Sequence, residues 1–209
     1  MENWKTVALV LSGSILLVVL AAFGLSKTTP VGGAKTIDNN ELLVGARWIK
    51  EVDDPKVTVV EFSDLQCPAC KAAQPFAEEV KKMDGVKFVL RHFPLIQLHK
   101  NAWIGARAAE AARMLGKGDD YVKKLFDRQS EWSTLDNPEE KLVSYAKEMG
   151  MLEDEFLKKL KSDETDKFVS EDFALGNRLK LQGTPTFYVN GEQISANFLK
   201  SKVEELLKK

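Results

Sequence analysis

Val-Val-Glu-Phe-Ser-Asp-Leu-Gln-Cys-Pro-Ala-Cys, residues 59–70, contains both cysteines of the chain. The β-branched and apolar run from Val57 to Phe62 predicts a strand that is buried on both faces. Pro68 suits the first turn of a helix, and the following residues have helical spacing as far as Met83. The two cysteines therefore lie where a buried strand passes into a helix.

The spacing of Cys67 and Cys70 indicates redox chemistry. A disulfide between them would close a ring of four residues and would constrain the unfolded chain very little. We expect no metal, because structural zinc needs four ligands and the two histidines, His92 and His99, lie outside the usual spacing. Neither histidine is a strong catalytic candidate. Free amides and the dipole at the helix start favour a thiolate on Cys67, which predicts Cys67 as the exposed attacking sulfur and Cys70 as the shielded, resolving one.

Strands and helices alternate outward from this motif, with a long helical block between them. The predicted elements are a strand from Val86 to Phe93, four or five helices within residues 101–181, strands at Thr186 to Val189 and Glu192 to Ile194 joined by an Asn190-Gly191 turn, and a helix from Phe198 to Leu207. The order predicts an α/β fold in which two halves of one sheet flank a helical insertion.

The composition is that of a folded domain. The 209 residues carry a formal net charge of -1, with 29% charged and 44% hydrophobic residues. Charges of both signs with no basic excess predict that the chain has no nucleic-acid partner.

An apolar run from Val7 to Leu25 contains no charged residue. At about 1.5 Å per residue it is long enough to cross the hydrocarbon layer as a helix. It predicts a single N-terminal transmembrane signal anchor over residues 1–27. The alternative is a cleavable signal peptide that ends at Ala22-Phe23-Gly24. Residues 28–43 are rich in Gly, Pro, Thr and Asn, which predicts a flexible tether before a folded domain at 44–209.

Residues 59–70 and the stretch Gly-Thr-Pro-Thr-Phe-Tyr-Val-Asn-Gly, residues 183–191, resemble the DsbA-like branch of the thioredoxin superfamily. The helical block fits the helical domain that this branch inserts into the thioredoxin-like fold, here at about residues 97–181. The resemblance covers residues 44–209. It implies a protein thiol–disulfide oxidoreductase that needs no cofactor.

The resemblance also assigns roles to residues outside the cysteine pair. Glu61, six residues before Cys67, resembles the family's buried carboxylate, which would exchange protons with Cys70. The alternative is a solvated glutamate at a strand end. Thr184-Pro185 resembles the family's cis-proline dipeptide, in which the backbone of the first residue pairs with the substrate peptide. The alternative is a trans proline that opens an edge strand.

The direction of electron flow stays open at this point. The most oxidising members of the family have a histidine between the cysteines, whereas Ala69 cannot stabilise a thiolate by charge, so we expect a less oxidising couple. Because disulfide chemistry belongs outside the cytoplasm, the expected enzyme is a single-pass protein of the bacterial cell membrane with an extracytoplasmic catalytic domain. It would oxidise cysteine-containing exported proteins and be recycled by a membrane redox partner. A reductase or isomerase, or a tethered chaperone-like binding module, are the alternatives.

Overall fold

A five-stranded mixed sheet forms the centre of the computed structural model, which describes residues 36–209. The strand order is β1-β3-β2-β4-β5, with β1 at Trp48–Lys50, β2 at Val57–Ser63, β3 at Val86–His92, β4 at Thr186–Val189 and β5 at Glu192–Ile194. Strands β2 and β3 are parallel, and the other neighbours are antiparallel. All seven residues of the central strand β2 are buried, which confirms the burial predicted from its apolar run.

Nine helices accompany the sheet within residues 36–209. They are α1 (Asn39–Leu43), α2 (Pro68–Lys81), α3 (Ala102–Met114), α4 (Gly118–Asp127), α5 (Gln129–Trp132), α6 (Glu139–Glu148), α7 (Glu153–Leu160), α8 (Asp163–Arg178) and α9 (Ala196–Leu207). Helices α3 to α8 lie between β3 and β4, so the predicted helical insertion in a thioredoxin-like α/β fold is confirmed. The prediction of four or five helices missed the short α5.

The two faces of β2 contact different helices. Val57 and Val59 pack with α2 and α9, whereas Val60 and Phe62 pack with α1 and α8. Because side chains alternate along a strand, Glu61 lies on the face of α2 and α9. The central strand therefore presents one carboxyl group to the helix that carries the cysteines.

The short helix α5 is held firmly against the rest of the insertion. Trp132 is fully buried, and its Nε1–H donates to the carbonyl of Leu125 at 2.9 Å. Gly105 makes room for the indole, since a Cβ atom there would lie 2.8 Å from its ring. This packing fixes α5 beside the cysteines.

The folded domain begins earlier than the sequence predicted. Thr36 forms a bridge with Glu192, Asp38 caps α1, and Leu42 is fully buried. Residues 36–43, which fall in the predicted flexible tether, are therefore part of the domain, and the predicted boundary at Val44 is too late. Burial of Leu42 against the sheet outweighs the loop-like composition around it.

The predicted anchor from Val7 to Leu25 and the start of the predicted tether lie outside the described residues. Within residues 36–209, no helix combines the length and the apolar character that a membrane crossing requires.

Candidate active site

Cys67 occupies the N-cap position of α2, immediately before Pro68 in the first turn. Its backbone N–H donates to the carbonyl of Asp64 at 3.0 Å, which closes the turn between β2 and the helix. Cys67 is 7% exposed and Cys70 is fully buried, and both are free thiols. The expected order of exposure is present, but Cys67 is far more covered than the sequence suggested. The helical insertion supplies much of this cover, because both cysteines belong to its apolar cluster.

The pKa of Cys67 is lowered to about 5. The hydrogen bond from the Cys70 thiol is the largest cause and burial opposes it, while the backbone N–H of Cys70, the side chain of Thr184 and the backbone N–H of Ala69 add to it. These amides belong to the first turn, where a helix has no carbonyl partners for them. Cys67 is therefore a thiolate at neutral pH, held mainly by donors that its own helix provides.

Cys70 has the opposite character. Burial raises its pKa, and its hydrogen bond to Cys67 raises it further. Two groups outside the helix favour its thiolate: the side chain of Thr184, and the backbone N–H of Asp64, which lies 3.4 Å from its sulfur. The pair thus consists of a stabilised thiolate and a protonated thiol that donates to it.

Thr184 and Pro185 lie beside this pair. The peptide bond between them is cis, which confirms the isomer that the resemblance implied. The carbonyl oxygen of Thr184 is 3.6 Å from the sulfur of Cys67. Strand β4 begins at the next residue and pairs antiparallel with β2, with Thr186 opposite Phe62. This pairing brings two distant parts of the chain to one end of the sheet.

Glu61 is buried within β2, so the alternative of a solvated glutamate is wrong. Burial raises its pKa to about 7, against the smaller effects of Ser63 and Lys81. Its Oε1 atom has no hydrogen-bond partner within residues 36–209. A buried carboxyl group with this pKa can both accept and release a proton near neutral pH.

Asp64 is a residue that the sequence analysis missed. Its side chain is fully buried, and its carboxylate accepts hydrogen bonds from the backbone N–H groups of Gln66 at 2.7 Å and Leu95 at 2.8 Å. The imidazole Nδ1 of His99 lies 2.8 Å from the same carboxylate. The sequence held one signal, an aspartate in the loop between strand and helix, where its side chain can bond to its own backbone.

Gln129 of helix α5 connects the helical insertion to the cysteine loop. Its side-chain amide is buried and donates to the carbonyls of Leu65 at 2.9 Å and Cys67 at 3.1 Å. Nothing in the local sequence marks this glutamine, because its partners lie more than sixty residues away.

Among residues 36–209, no group of three or more His, Cys, Asp and Glu side chains could hold a metal ion.

Two relatives are similar to this chain in sequence. The probable disulfide bond formation protein D of Bacillus cereus is 30% identical over 224 aligned positions, which span the whole of both chains. The Na(+)/H(+) antiporter NhaA 1 of Salinispora arenicola is 33% identical over 138 residues, or 66% of this chain. The chain spans only about a fifth of the antiporter's length, 20%.

Solved structures share the fold. A thioredoxin-like oxidoreductase from Silicibacter pomeroyi superposes with a TM-score of 0.67 and 25% identity, covering 83% of this chain and 99% of that one. BdbD from Bacillus subtilis gives a TM-score of 0.65 and 24% identity, covering 85% and 98% of the two chains. The profile of the family described as thioredoxin matches residues 52–209. The chain therefore belongs to the thioredoxin family.

Proposed function

We propose that this chain is a membrane-anchored, extracytoplasmic enzyme that oxidises the cysteines of exported proteins through Cys67 and Cys70. The observation that carries the proposal is the lowered pKa of Cys67, about 5, beside the buried thiol of Cys70. A stabilised thiolate stabilises the reduced form of the couple, so the disulfide form tends to accept electrons. This tendency favours oxidation over the reductase alternative.

The reaction proceeds in two exchanges. A substrate thiolate attacks the sulfur of Cys67 in the enzyme disulfide, the bond between the cysteines breaks, and Cys70 leaves as a thiolate that takes up a proton. A second substrate thiolate then attacks the substrate sulfur of the mixed disulfide and releases the stabilised Cys67 thiolate. Two electrons pass from the substrate to the enzyme, and a membrane redox partner removes them to restore the disulfide.

Three further residues assist these exchanges. The backbone of Thr184, next to the cis bond to Pro185, pairs with the substrate peptide beside the attacking sulfur. Glu61 exchanges the proton that Cys70 takes up and releases, as its raised pKa allows. Neither role needs a cofactor.

The reduction potential of the couple in glutathione buffers tests the direction. We expect a value above about −200 mV, together with faster disulfide formation in a reduced test protein. A value near that of thioredoxin, about −270 mV, would make the chain a reductase. An ordinary pKa for Cys67 with no turnover in either direction would leave only the binding module.

Substitution of Ala69 by histidine tests what sets that potential. Ala69 is exposed in the first turn of α2, and its N–H already stabilises the Cys67 thiolate. A protonated imidazole there adds positive charge, so Ala69→His is expected to raise the potential by about 30 mV, which is tenfold in the equilibrium constant. Ala72→His, also exposed but one turn further along α2, is the matched control and should change the potential much less. Equal shifts in both variants would rule out a local effect on the thiolate.

The N-terminal anchor is tested on the full chain. We expect the protein to stay with membranes through an alkaline wash and to retain Val7 to Leu25 in its mature mass. A double Val18→Lys, Val19→Lys variant should be released, because each charge near the middle of a membrane helix costs about 3 kcal/mol. A mature N-terminus near Leu25 would instead establish the cleavable signal peptide.

A further inference from the structure

The backbone of Asp64 contacts both cysteines. Its N–H donates to the sulfur of Cys70 at 3.4 Å, and its carbonyl accepts the N–H of Cys67 at 3.0 Å. No other residue between β2 and α2 makes both contacts. The orientation of this one residue therefore determines whether an amide points at the buried sulfur.

The side chain of Asp64 fixes that orientation. Its carboxylate is fully buried and has three neighbours at hydrogen-bond distance: the N–H groups of Gln66 and Leu95, and Nδ1 of His99. A carboxylate only accepts hydrogen bonds, so the proton of this contact lies on Nδ1. Two of the donors are backbone groups, which leaves His99 as the side-chain donor.

We propose that His99 is a positioning residue that, through the Asp64 carboxylate, keeps the Asp64 amide on the sulfur of Cys70 and so accelerates the step in which Cys70 attacks the mixed disulfide on Cys67. This inference rests on the proposed function, in which the attack by Cys70 on a mixed disulfide is the step that restores the enzyme disulfide. Cys70 must become an anion in a buried site, where an anion without a donor is costly. Hydrogen bonds to charged groups are stronger than those between neutral groups, so misalignment of this donor slows the step.

The effect falls mainly on Cys70, because Asp64 donates to the sulfur of Cys70 but contacts only the backbone of Cys67. The Cys67 thiolate depends on the Cys70 thiol, on amides of the first turn of α2 and on the side chain of Thr184, whereas the hydrogen bond of His99 goes to Asp64. Loss of the imidazole should therefore leave the first attack by Cys67 nearly unchanged. If His99 only stabilised the fold, its loss would affect the attack by Cys67 and the attack by Cys70 alike.

A single turnover of the reduced full-length protein with glutathione disulfide separates the steps. The Cys67 thiolate attacks one glutathione sulfur and expels the other as a thiolate, which gives a mixed disulfide. The Cys70 thiolate then attacks the sulfur of Cys67, expels the second glutathione thiolate and leaves the Cys67–Cys70 disulfide. Acid quenching and mass spectrometry follow both species.

In His99→Ala we expect the second step to slow about tenfold and the first to change less than about twofold. His99→Asn offers an amide donor near the position of Nδ1 and should restore the second step to within about twofold of wild type. Lys100→Ala is the matched control, because Lys100 is exposed, pairs with Asp136 and should leave both rates as they are.

Several outcomes would overturn the inference. They are an unchanged second step in His99→Ala, an equal fall in both steps, and a failure of His99→Asn to restore the rate. If His99→Ala does not fold, Asp64→Asn removes one of the two carboxylate oxygens and must show the same selective loss. Failure of the wild-type protein to react with glutathione disulfide would instead refute the proposed function, which keeps the two tests distinct.

Discussion

The Cys70→Ala variant should accumulate substrate proteins as long-lived mixed disulfides, whereas Cys67→Ala should trap almost none. Cys67 is the sulfur whose pKa is lowered to about 5, and Cys70 is the buried sulfur that returns the enzyme to its free form. Removal of Cys70 abolishes its intramolecular attack on the mixed disulfide, so a substrate with no second free thiol is released only by slow bimolecular exchange. Because well-aligned intramolecular steps have effective molarities of 10⁵ M or more, we expect the lifetime of the mixed disulfide to rise on the order of 10³-fold or more.

Trapping is measured on non-reducing gels after rapid alkylation, with the Cys67→Ala, Cys70→Ala double variant as the blank. The experiment is best done at about pH 8, because Cys70→Ala removes the hydrogen bond that is the largest cause of the low Cys67 pKa. Even a thiol of ordinary pKa is substantially ionised there. If Cys67→Ala traps as much protein as Cys70→Ala, the assignment of the attacking sulfur is wrong.

The local part of the site could be predicted from sequence because its causes are local. An apolar run makes β2, Pro68 starts α2, and the two-residue spacing puts Cys70 one turn behind Cys67. These features need only strand and helix periodicity and the unpaired amides of a helix start. The low pKa of Cys67 follows from the same geometry.

The rest of the site depends on contacts between distant segments. His99 reaches Asp64 across 35 positions and Gln129 reaches Cys67 across 62, and neither has a periodicity that indicates its partner. From the sequence alone, His99 is therefore only a weak candidate. Similarly, residues 36–43 have the composition of a loop, yet Leu42 packs into the core. Whether such segments are ordered depends on burial in the tertiary structure, which local propensity does not predict.

Glu61→Gln should stabilise the folded protein at pH 8 by about 3 kcal/mol and have little effect at pH 4. The pKa of Glu61 is raised from 4.5 to about 7 on folding, so the folded state holds its proton more tightly than the unfolded state does. The folding stability of the wild-type protein therefore falls as the pH rises from about 4.5 to 7. The Glu61→Gln variant does not lose this stability, because its amide stays neutral. Urea unfolding at the two pH values measures it, with the exposed Glu155→Gln as control. Equal effects at both pH values would show that Glu61 does not titrate near 7.

A loss of folding stability of this size is consistent with a catalytic role for the Glu61 carboxyl group, and the exchange kinetics of Glu61→Gln test that role. At pH 7 about half of the Glu61 side chains are protonated, so the group can accept the proton of Cys70 and return it. Glutamine cannot, and we expect release of the mixed disulfide to slow by about 10²-fold while its formation is nearly unchanged. In Glu61→Gln the release rate should also lose its dependence on pH near 7, because Glu61 exchanges the proton of Cys70. In His99→Ala the release rate should keep that dependence, because His99 supports the hydrogen bond to the Cys70 thiolate and transfers no proton. Stabilisation at pH 8 with both rates unchanged would leave Glu61 as a buried acid without a catalytic role.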